Sequence, residues 1–134
     1  VRLGYLLGPQ ALVAEIDKVR PPYNVSVLNS EAALFALEHA DVFAAQAQEL
    51  CAQRTALVAA LQAMEQVEKV WPSEANMVLL RVPDAARTQA AMKARGVLVK
   101  NVSALHPLLA NCLRLTVGSA EENTQMLAVL QESL

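Results

Sequence analysis

An arginine interrupts an apolar stretch towards the end of the sequence. Arg114 stands within Cys112–Val117 and has Leu113 and Leu115 on either side. Because side chains alternate between the two faces of a β-strand, Arg114 points away from the core if the two leucines point into it. A guanidinium held on a strand can bind a carboxylate or a phosphate through two parallel hydrogen bonds. The pattern alone equally allows an exposed charge on the solvent face of a half-covered sheet, so both interpretations stay open.

Four further residues could have a binding role or a purely structural one. Lys100 ends the preceding predicted strand, where it could add a second positive charge or could simply be a solvated strand end. Arg2 opens a short apolar segment that reads as a strand, and alone it carries no functional weight. Tyr23 and Asn24 lie in a proline-bounded connector, where a packing aromatic and a helix cap are the plain alternatives to a binding role.

The sequence contains no convincing reactive group. It has no glycine-rich nucleotide loop and no serine–histidine–aspartate order, and its carboxylates fall at predicted helix starts and surfaces. Cys51 and Cys112 form no CxxC pair, which predicts reduced, core-facing thiols in a cytosolic protein. His39 and His106 have no ligand-spaced partners, so we expect no metal site. The residues alone indicate an anion-binding domain without a nucleophile or general base.

The composition predicts a folded, core-forming chain. It has 134 residues, of which 54% are hydrophobic and 18% charged, enough for one domain of ordinary size. A formal net charge of -2 and an aromatic content of 4% argue against nucleic-acid binding. Apolar runs such as Met77–Leu80 fall far short of the roughly 20 residues of a membrane span, so we expect no membrane segment. The sequence opens at Val1 without an initiator methionine or signal peptide, which predicts a piece of a longer protein.

The first half of the sequence is predicted to be mostly helical. Pro9 suits the first turn of a helix, and Pro21-Pro22 ends that helix because proline cannot continue the hydrogen-bond ladder. The predicted helices are Gln10–Val19, a helix capped by Ser26 that reaches about Ala40, and a longer helix from Asp41 to about Glu68. The apolar stripe of the last helix, with Leu50, Leu57 and Met64, is expected to pack within the domain and could alternatively dimerise.

The second half is predicted to alternate strands and helices. Gly96 is expected to end one helix in the left-handed conformation, and Ser119 with Glu122 predicts a capping box at the start of the last helix. The predicted elements are strands Val70–Ser73 and Asn76–Val82, a helix from Asp84 to Arg95, strand Val97–Lys100, a loop Asn101–Asn111, strand Cys112–Val117 and a helix to Ser133. This order predicts an α/β (α+β) fold in which helices pack on one face of a small sheet.

Several segments resemble one enzyme family. Arg2–Tyr5 is similar to the end of the pyridoxal-phosphate motif of fold-type I aminotransferases, Ser-x-x-Lys followed after a few residues by Gly-x-Arg-x-Gly-Tyr. Gly96–Lys100 and Asn111–Asn123 resemble the C-terminal part of the histidinol-phosphate aminotransferases. Ser73–Asn76 and the connector Pro22–Ser26 fit the same family. The resemblance covers essentially the whole chain, and its most specific part is the Cys-Leu-Arg-Leu-Thr-Val-Gly run with Glu-Glu-Asn.

The resemblance implies a fold and a domain division. The chain would be the C-terminal small domain of a fold-type I aminotransferase, preceded by a helical connector. Residues 1–25 would be the end of the large cofactor-binding domain with its connector, residues 26–69 the connecting helices, and residues 70–134 the small α/β domain.

The resemblance also implies roles for single residues. Arg2 matches the arginine that binds the phosphate of pyridoxal phosphate, and Arg114 matches the arginine that holds the substrate anion. Lys100 stands where many members have an arginine that helps bind the substrate phosphate. Tyr23 and Asn24 match a connector near the active site of the dimer partner. The lysine that binds the cofactor covalently would precede residue 1, so no catalytic residue is expected within the chain.

The implied reaction is the transfer of an amino group between histidinol phosphate and 2-oxoglutarate or glutamate in histidine biosynthesis. The resemblance implies a cytoplasmic homodimer that uses pyridoxal 5'-phosphate, while the isolated chain is expected to be inactive. Three alternatives stay open. One is another fold-type I enzyme, such as a threonine-phosphate decarboxylase or an aromatic aminotransferase. The second is a stand-alone anion-binding α/β module, and the third is an interaction domain.

Overall fold

Four short strands form one antiparallel sheet. The structure is a computed structural model that describes residues 3–134, so the predicted role of Arg2 lies outside the described residues. The strands are β1 (Lys69–Val70), β2 (Met77–Arg81), β3 (Lys100–Asn101) and β4 (Cys112–Thr116). They lie side by side in the order β1-β2-β4-β3, with β2 and β4 in the centre. All three pairings are antiparallel, and the longest one sets Leu79 opposite Arg114.

One face of the sheet is covered by helices and forms the core. Val78 and Leu80 of β2 and Leu113 and Leu115 of β4 are completely buried. Three helices contribute to the same cluster, through Leu57 and Leu61, Ala85 and Met92, and Met126 and Leu130. The alternating burial of β2 and β4 confirms the prediction that helices pack on a single face. Leu57 and Leu61 of the predicted stripe pack in this core as expected, whereas Leu50 at its start is exposed.

Five α-helices and one 3₁₀ helix complete the described chain, and several begin where the sequence predicts. They are α1 (Gln10–Val19), α2 (Val27–Glu38), α3 (Ala40–Gln62), α4 (Ala85–Ala94), the 3₁₀ helix Pro107–Leu109 and α5 (Ala120–Ser133). Ser26 caps α2, Asp84 caps α4, and Ser119 with Glu122 forms the predicted capping box of α5. Gly96 has a φ of 82°, which confirms the predicted left-handed end of α4.

The chain divides into two compact units, one up to Ala45 and one comprising Gln46–Leu134. The second unit contains the sheet and every buried residue of the described chain. In the first unit no described residue is buried, and many large apolar side chains are exposed. The most exposed of them are Tyr5, Leu7, Val19, Tyr23, Val27, Leu28 and Leu37. A high apolar content therefore gives a core only in the second unit.

Several boundaries differ from the prediction, and the reasons are local. The predicted strand Val97–Lys100 is wrong for its first three residues. The backbone N–H of Val97 donates to the carbonyl of Met92 in the last turn of α4, and the Val99 carbonyl accepts from the side chain of Gln89 on the same helix. Backbone groups committed to α4 cannot pair with a neighbouring strand. The strand is therefore Lys100–Asn101, and the predicted loop begins one residue later and contains a 3₁₀ helix.

Boundaries in the first part of the second unit also shift. The long helix was expected to reach Glu68 but ends at Gln62, because the backbone of Glu68 already donates to the Arg81 carbonyl at the sheet. The first strand ends at Val70, and Pro72, which has no N–H to donate, follows shortly after.

Three smaller expectations are wrong in the first half of the chain. The described part of the apolar opening segment, Leu3–Leu7, is not a strand, since it has no neighbouring strand to pair with in the described chain. Pro9 is the N-cap of α1 and not its first helical residue. Asp41 lies inside the first turn of α3 and does not cap it, because the helix already begins at Ala40.

The two cysteines have different environments. Cys112 is buried as predicted, but Cys51 is exposed, so the prediction of a core-facing thiol is wrong there. Cys51 lies one to two turns before the packed part of α3, about 100° around the helix from the Leu57 and Leu61 stripe. Both thiols are free.

Candidate functional site

The face of the sheet opposite the core carries the predicted anion-binding residues. Arg114 is exposed in the middle of β4, while Leu113 and Leu115 on either side of it are buried. Leu79 of β2 lies opposite Arg114 on one side, and Lys100 of β3 lies opposite it on the other. The predicted outward direction of Arg114 is thus confirmed, and the structure brings Lys100 into direct cross-strand register with it. We call this face the outer face of the sheet.

Lys100 and Arg114 form a pair of like charges. Directly opposed residues of an antiparallel pair have Cβ atoms about 4.5–5.5 Å apart, where two positive charges repel each other. The ion pairs among the described residues are Lys18–Glu15, Arg20–Asp17 and Arg95–Glu132, so neither Lys100 nor Arg114 is neutralised by a carboxylate there. A bound carboxylate or phosphate would relieve this repulsion. A guanidinium can grip such an anion with two bonds, and an ammonium adds a point charge.

The loop between β3 and β4 connects the two strands that carry these cations. Asn101 begins it with a tight turn, in which its side-chain oxygen accepts from the backbone N–H and the hydroxyl of Ser103, at 2.9 and 2.6 Å. The backbone N–H of Val102 donates to the Cys112 carbonyl and extends the pairing by one residue. Asn111 ends the loop with a φ of 56°, a left-handed conformation that asparagine tolerates better than most residues.

Arg81, at the end of β2, fastens this loop to the sheet. Its Nη2 donates to the Leu108 carbonyl at 2.8 Å, and its Nε donates to the Ala110 carbonyl at 3.1 Å. The guanidinium also lies over the Trp71 ring, 5.4 Å from its centroid, and the Lys69 ammonium lies 4.9 Å from the same centroid. Arg81 was not among the candidate residues predicted from the sequence. The signal was its position two residues after Leu79, which places both on the outer face by strand alternation.

A second turn fixes the other end of β4. The Asn123 side chain accepts from the Gly118 N–H at 3.0 Å and donates to the Gly118 carbonyl at 3.1 Å. In the same turn, the exposed Glu121 carboxyl accepts hydrogen bonds from the backbone N–H of Glu121 and from the Ser119 hydroxyl. These bonds, the backbone one first, lower the pKa of Glu121 below its usual value. A groove of about 310 Å³ beside this turn is lined by Gly118 and Glu122 among others, and by no cation. This groove therefore does not suit an anion.

Tyr23 and Asn24 belong to the first unit. The Tyr23 side chain is 98% exposed and its φ is 57°, so it does not pack as an aromatic anchor in the described chain. The Asn24 side-chain oxygen accepts from Nη1 of Arg20 at 2.6 Å, and Ser26, not Asn24, caps the following helix. The plain structural roles considered for both residues are therefore not seen. Their proposed contact with substrate remains a prediction.

The described residues suit an anion but do not by themselves fit pyridoxal phosphate. The cofactor needs a shielded lysine for its aldehyde, and the four lysines of the chain, Lys18, Lys69, Lys93 and Lys100, are all exposed. Lys18 pairs with Glu15, and Lys69 lies over Trp71. Within residues 3–134 no three histidine, cysteine or acidic side chains are grouped so that they could hold a metal ion. None of the described helices is both long and apolar enough to cross a membrane.

Comparison with known proteins defines the class. The aminotransferase class I and II family matches residues 1–130. The histidinol-phosphate aminotransferase of Acidovorax sp. (strain JS42) is 75% identical over 134 residues, which are 100% of this chain and 36% of the relative. The chain belongs to the class I and II aminotransferases, and it spans about 36% of the length of such relatives.

Two solved structures share the fold. The histidinol-phosphate aminotransferase from Clostridium acetobutylicum matches with a TM-score of 0.81 at 17% identity, over 92% of this chain and 37% of that chain. The L-threonine-O-3-phosphate decarboxylase from Porphyromonas gingivalis matches with a TM-score of 0.80 at 22% identity, over 94% and 39%. At these identities the likeness shows the fold alone. The predicted fold, part of a fold-type I aminotransferase with helices on a small sheet, is confirmed.

Proposed function

We propose that this chain provides the substrate-anion clamp of a pyridoxal-phosphate-dependent aminotransferase that acts on histidinol phosphate and on glutamate or 2-oxoglutarate. The observation that carries the proposal is the register of the sheet, which sets Lys100 opposite Arg114 on an exposed face without a neutralising carboxylate in the described chain. The name and the 75% identity of the Acidovorax relative support the choice of substrate. Family membership favours the enzyme over an anion-binding module that acts alone.

The clamp would act by binding and orientation. Arg114 would grip the paired oxygens of the α-carboxylate in one half-reaction and of the phosphate in the other, since both ligands present two oxygens to a planar guanidinium. Lys100 would add charge without directional demand, which allows one site to accept both anions. Fixing the anion fixes the position of the amino group relative to the cofactor, and positioning of this kind accelerates a reaction between bound partners.

The remaining parts of the proposal concern the whole protein. Pyridoxal phosphate supplies the electron sink of transamination when it is bound. We place the cofactor phosphate on Arg2 and the substrate near Tyr23 and Asn24. The proposal retains the domain division into residues 1–25, 26–69 and 70–134, and the cytoplasmic homodimer. The isolated chain should lack activity, because its four lysines are exposed and none is shielded as a cofactor lysine must be.

The experiment uses the whole protein loaded with pyridoxal phosphate. Histidinol phosphate should convert the cofactor's visible absorbance to that of its amino form, and 2-oxoglutarate should reverse the change. Arg114→Ala should weaken both half-reactions by roughly 10- to 150-fold, the equivalent of about 1.5–3 kcal/mol for a charge-assisted hydrogen bond. Arg87→Ala is the matched control, because Arg87 lies on α4 and bonds the Leu134 carbonyl, away from the outer face.

Each failure of this experiment has a distinct meaning. If the loaded protein ignores histidinol phosphate but releases carbon dioxide from threonine phosphate, the decarboxylase alternative is correct and the proposed substrate is wrong. If Arg114→Ala and Arg87→Ala lose activity equally, Arg114 does not bind the substrate.

A further inference from the structure

We infer that Arg81 is a positioning residue for the Lys100 and Arg114 pair, because it holds the loop that connects their strands. The inference deepens the proposed function and rests on it, since the pair is there the substrate clamp. Arg81 lies on the same outer face and belongs to neither β3 nor β4. Its contacts are to the loop backbone, so any influence on substrate would act through the positions of other residues.

The contacts fasten the end of the loop to the end of β2. Arg81 donates to the carbonyls of Leu108 and Ala110 through two different nitrogens. The next residue, Val82, donates its backbone N–H to the Asn111 carbonyl at 3.0 Å. Three of the four carbonyls from Leu108 to Asn111 are thus held by the last residue of β2 and the residue that follows it. The loop end cannot slide along β2 unless these bonds break together.

Only a short strand opposes this part of β4. β3 has two residues, and its register consists of Lys100 opposite Arg114 and Asn101 opposite Leu113. A slip by one residue would move every side chain of a strand to the other face. Such a slip would remove Lys100 from Arg114 and set it against a core position. β3 is also held by the bond from the Val102 N–H to the Cys112 carbonyl and by the bond from Gln89 to the Val99 carbonyl. The loop end that Arg81 holds adds to these bonds and helps to keep the two cations opposite each other.

The Trp71 ring gives the Arg81 guanidinium an aromatic contact while it reaches both carbonyls. The central carbon of the guanidinium lies over the ring, 5.4 Å from its centroid, while Nε and Nη2 donate to the Ala110 and Leu108 carbonyls. A lysine at position 81 would keep the charge near Trp71 but would have a single nitrogen, which cannot match a fork spanning two carbonyls. Comparing Arg81→Lys with the wild type therefore shows whether Arg81 acts through its two-pronged shape or only through its charge.

The test compares Arg81→Gln, Arg81→Lys and Arg87→Gln in the whole, cofactor-loaded protein. Arg87 is the matched control because it too donates to a backbone carbonyl, that of Leu134, at the other side of the unit. We expect Arg81→Gln to raise KM for both anionic substrates on the order of tenfold and to lower kcat as well, because displaced cations bind the anion more weakly and misplace the reacting amino group. Arg81→Lys should give an increase between those of the wild type and Arg81→Gln, and Arg87→Gln should leave KM unchanged.

A second readout does not depend on activity. Hydrogen exchange of residues 100–116 should be slowed by inorganic phosphate in the wild type and in Arg87→Gln. In Arg81→Gln it should be faster and insensitive to phosphate. If this pattern holds while histidinol phosphate is not turned over, the proposed function fails and the positioning role of Arg81 stands. If KM and the phosphate effect are unchanged in both Arg81 variants, the inference is overturned. Should Arg81→Gln fail to fold, an unchanged KM and phosphate effect in Arg81→Lys would overturn it equally.

Discussion

The two faces of the sheet show how one strand can serve stability and binding separately. On β4, Leu113 and Leu115 are completely buried against the helices, while Arg114 between them is exposed opposite Lys100. The core face gains free energy from apolar burial, whereas the outer face juxtaposes two like charges at a cost to folding. Substitutions on the two faces should therefore have opposite profiles, with stability lost on one and anion binding lost on the other.

The largest expected effect is on the core face. Leu113→Ala should lower the free energy of unfolding by about 2–5 kcal/mol, because it removes a completely buried side chain and leaves a cavity in a packed cluster. Urea denaturation of the chain would measure it. Leu79→Ala on the outer face is the control and should cost much less, because Leu79 is only half-buried. Equal losses would show that the outer face is packed as well as the core and would break the comparison.

The next effect concerns the turn that follows β4. A Cβ at Gly118 would lie 2.5 Å from Oε2 and 3.0 Å from Cβ of Glu122, so Gly118→Ala must displace the Glu122 side chain. That side chain bonds the Ser119 N–H at 2.8 Å in the capping box. Losing the cap should lower stability by about 1 kcal/mol, measured by the same urea denaturation.

Gly4→Ala is the matched control for this substitution. A Cβ there would have nothing within 4 Å, so the free energy of unfolding should not fall. If Gly118→Ala is no less stable than Gly4→Ala, the capping box does not hold the end of β4.

Sequence reasoning predicted those features that depend on neighbours along the chain. The direction of Arg114 follows from the alternation of one strand, and the capping box from four consecutive residues. The start of β3 could not be predicted, because Val99 looks like a strand residue but bonds to Gln89 on α4.

The same distinction holds for the candidate site. Lys100 and Arg114 were both singled out, but the loop between their strands is contacted by Arg81 from 27 and 29 residues away in sequence. The Arg81 contacts join distant parts of the chain and leave no local pattern. Cys51 was misjudged because the lack of a CxxC partner gives no information on whether a thiol faces the core.

The smallest expected effect has the opposite sign to the others and is the sharpest test of the outer face. Lys100→Glu would replace two like charges with an opposed pair across β3 and β4, which should raise stability by about 0.2–1 kcal/mol. The same substitution should abolish anion binding at Arg114, because the new carboxylate occupies the guanidinium and repels the ligand. Urea denaturation would give the stability, and inhibition of the whole protein by inorganic phosphate would give the binding.

Lys93→Glu is the control, since it makes the same change of charge in the last turn of α4. A helix C-terminus favours cations, so this variant should lose a few tenths of a kcal/mol and keep its phosphate inhibition. A gain in stability together with a loss of binding, seen only at position 100, would mean that the chain keeps an unfavourable charge pair because a ligand resolves it. If Lys100→Glu is destabilised like the control, the repulsion between Lys100 and Arg114 is negligible. The outer face would then be an ordinary solvated surface whose charges cost the fold nothing.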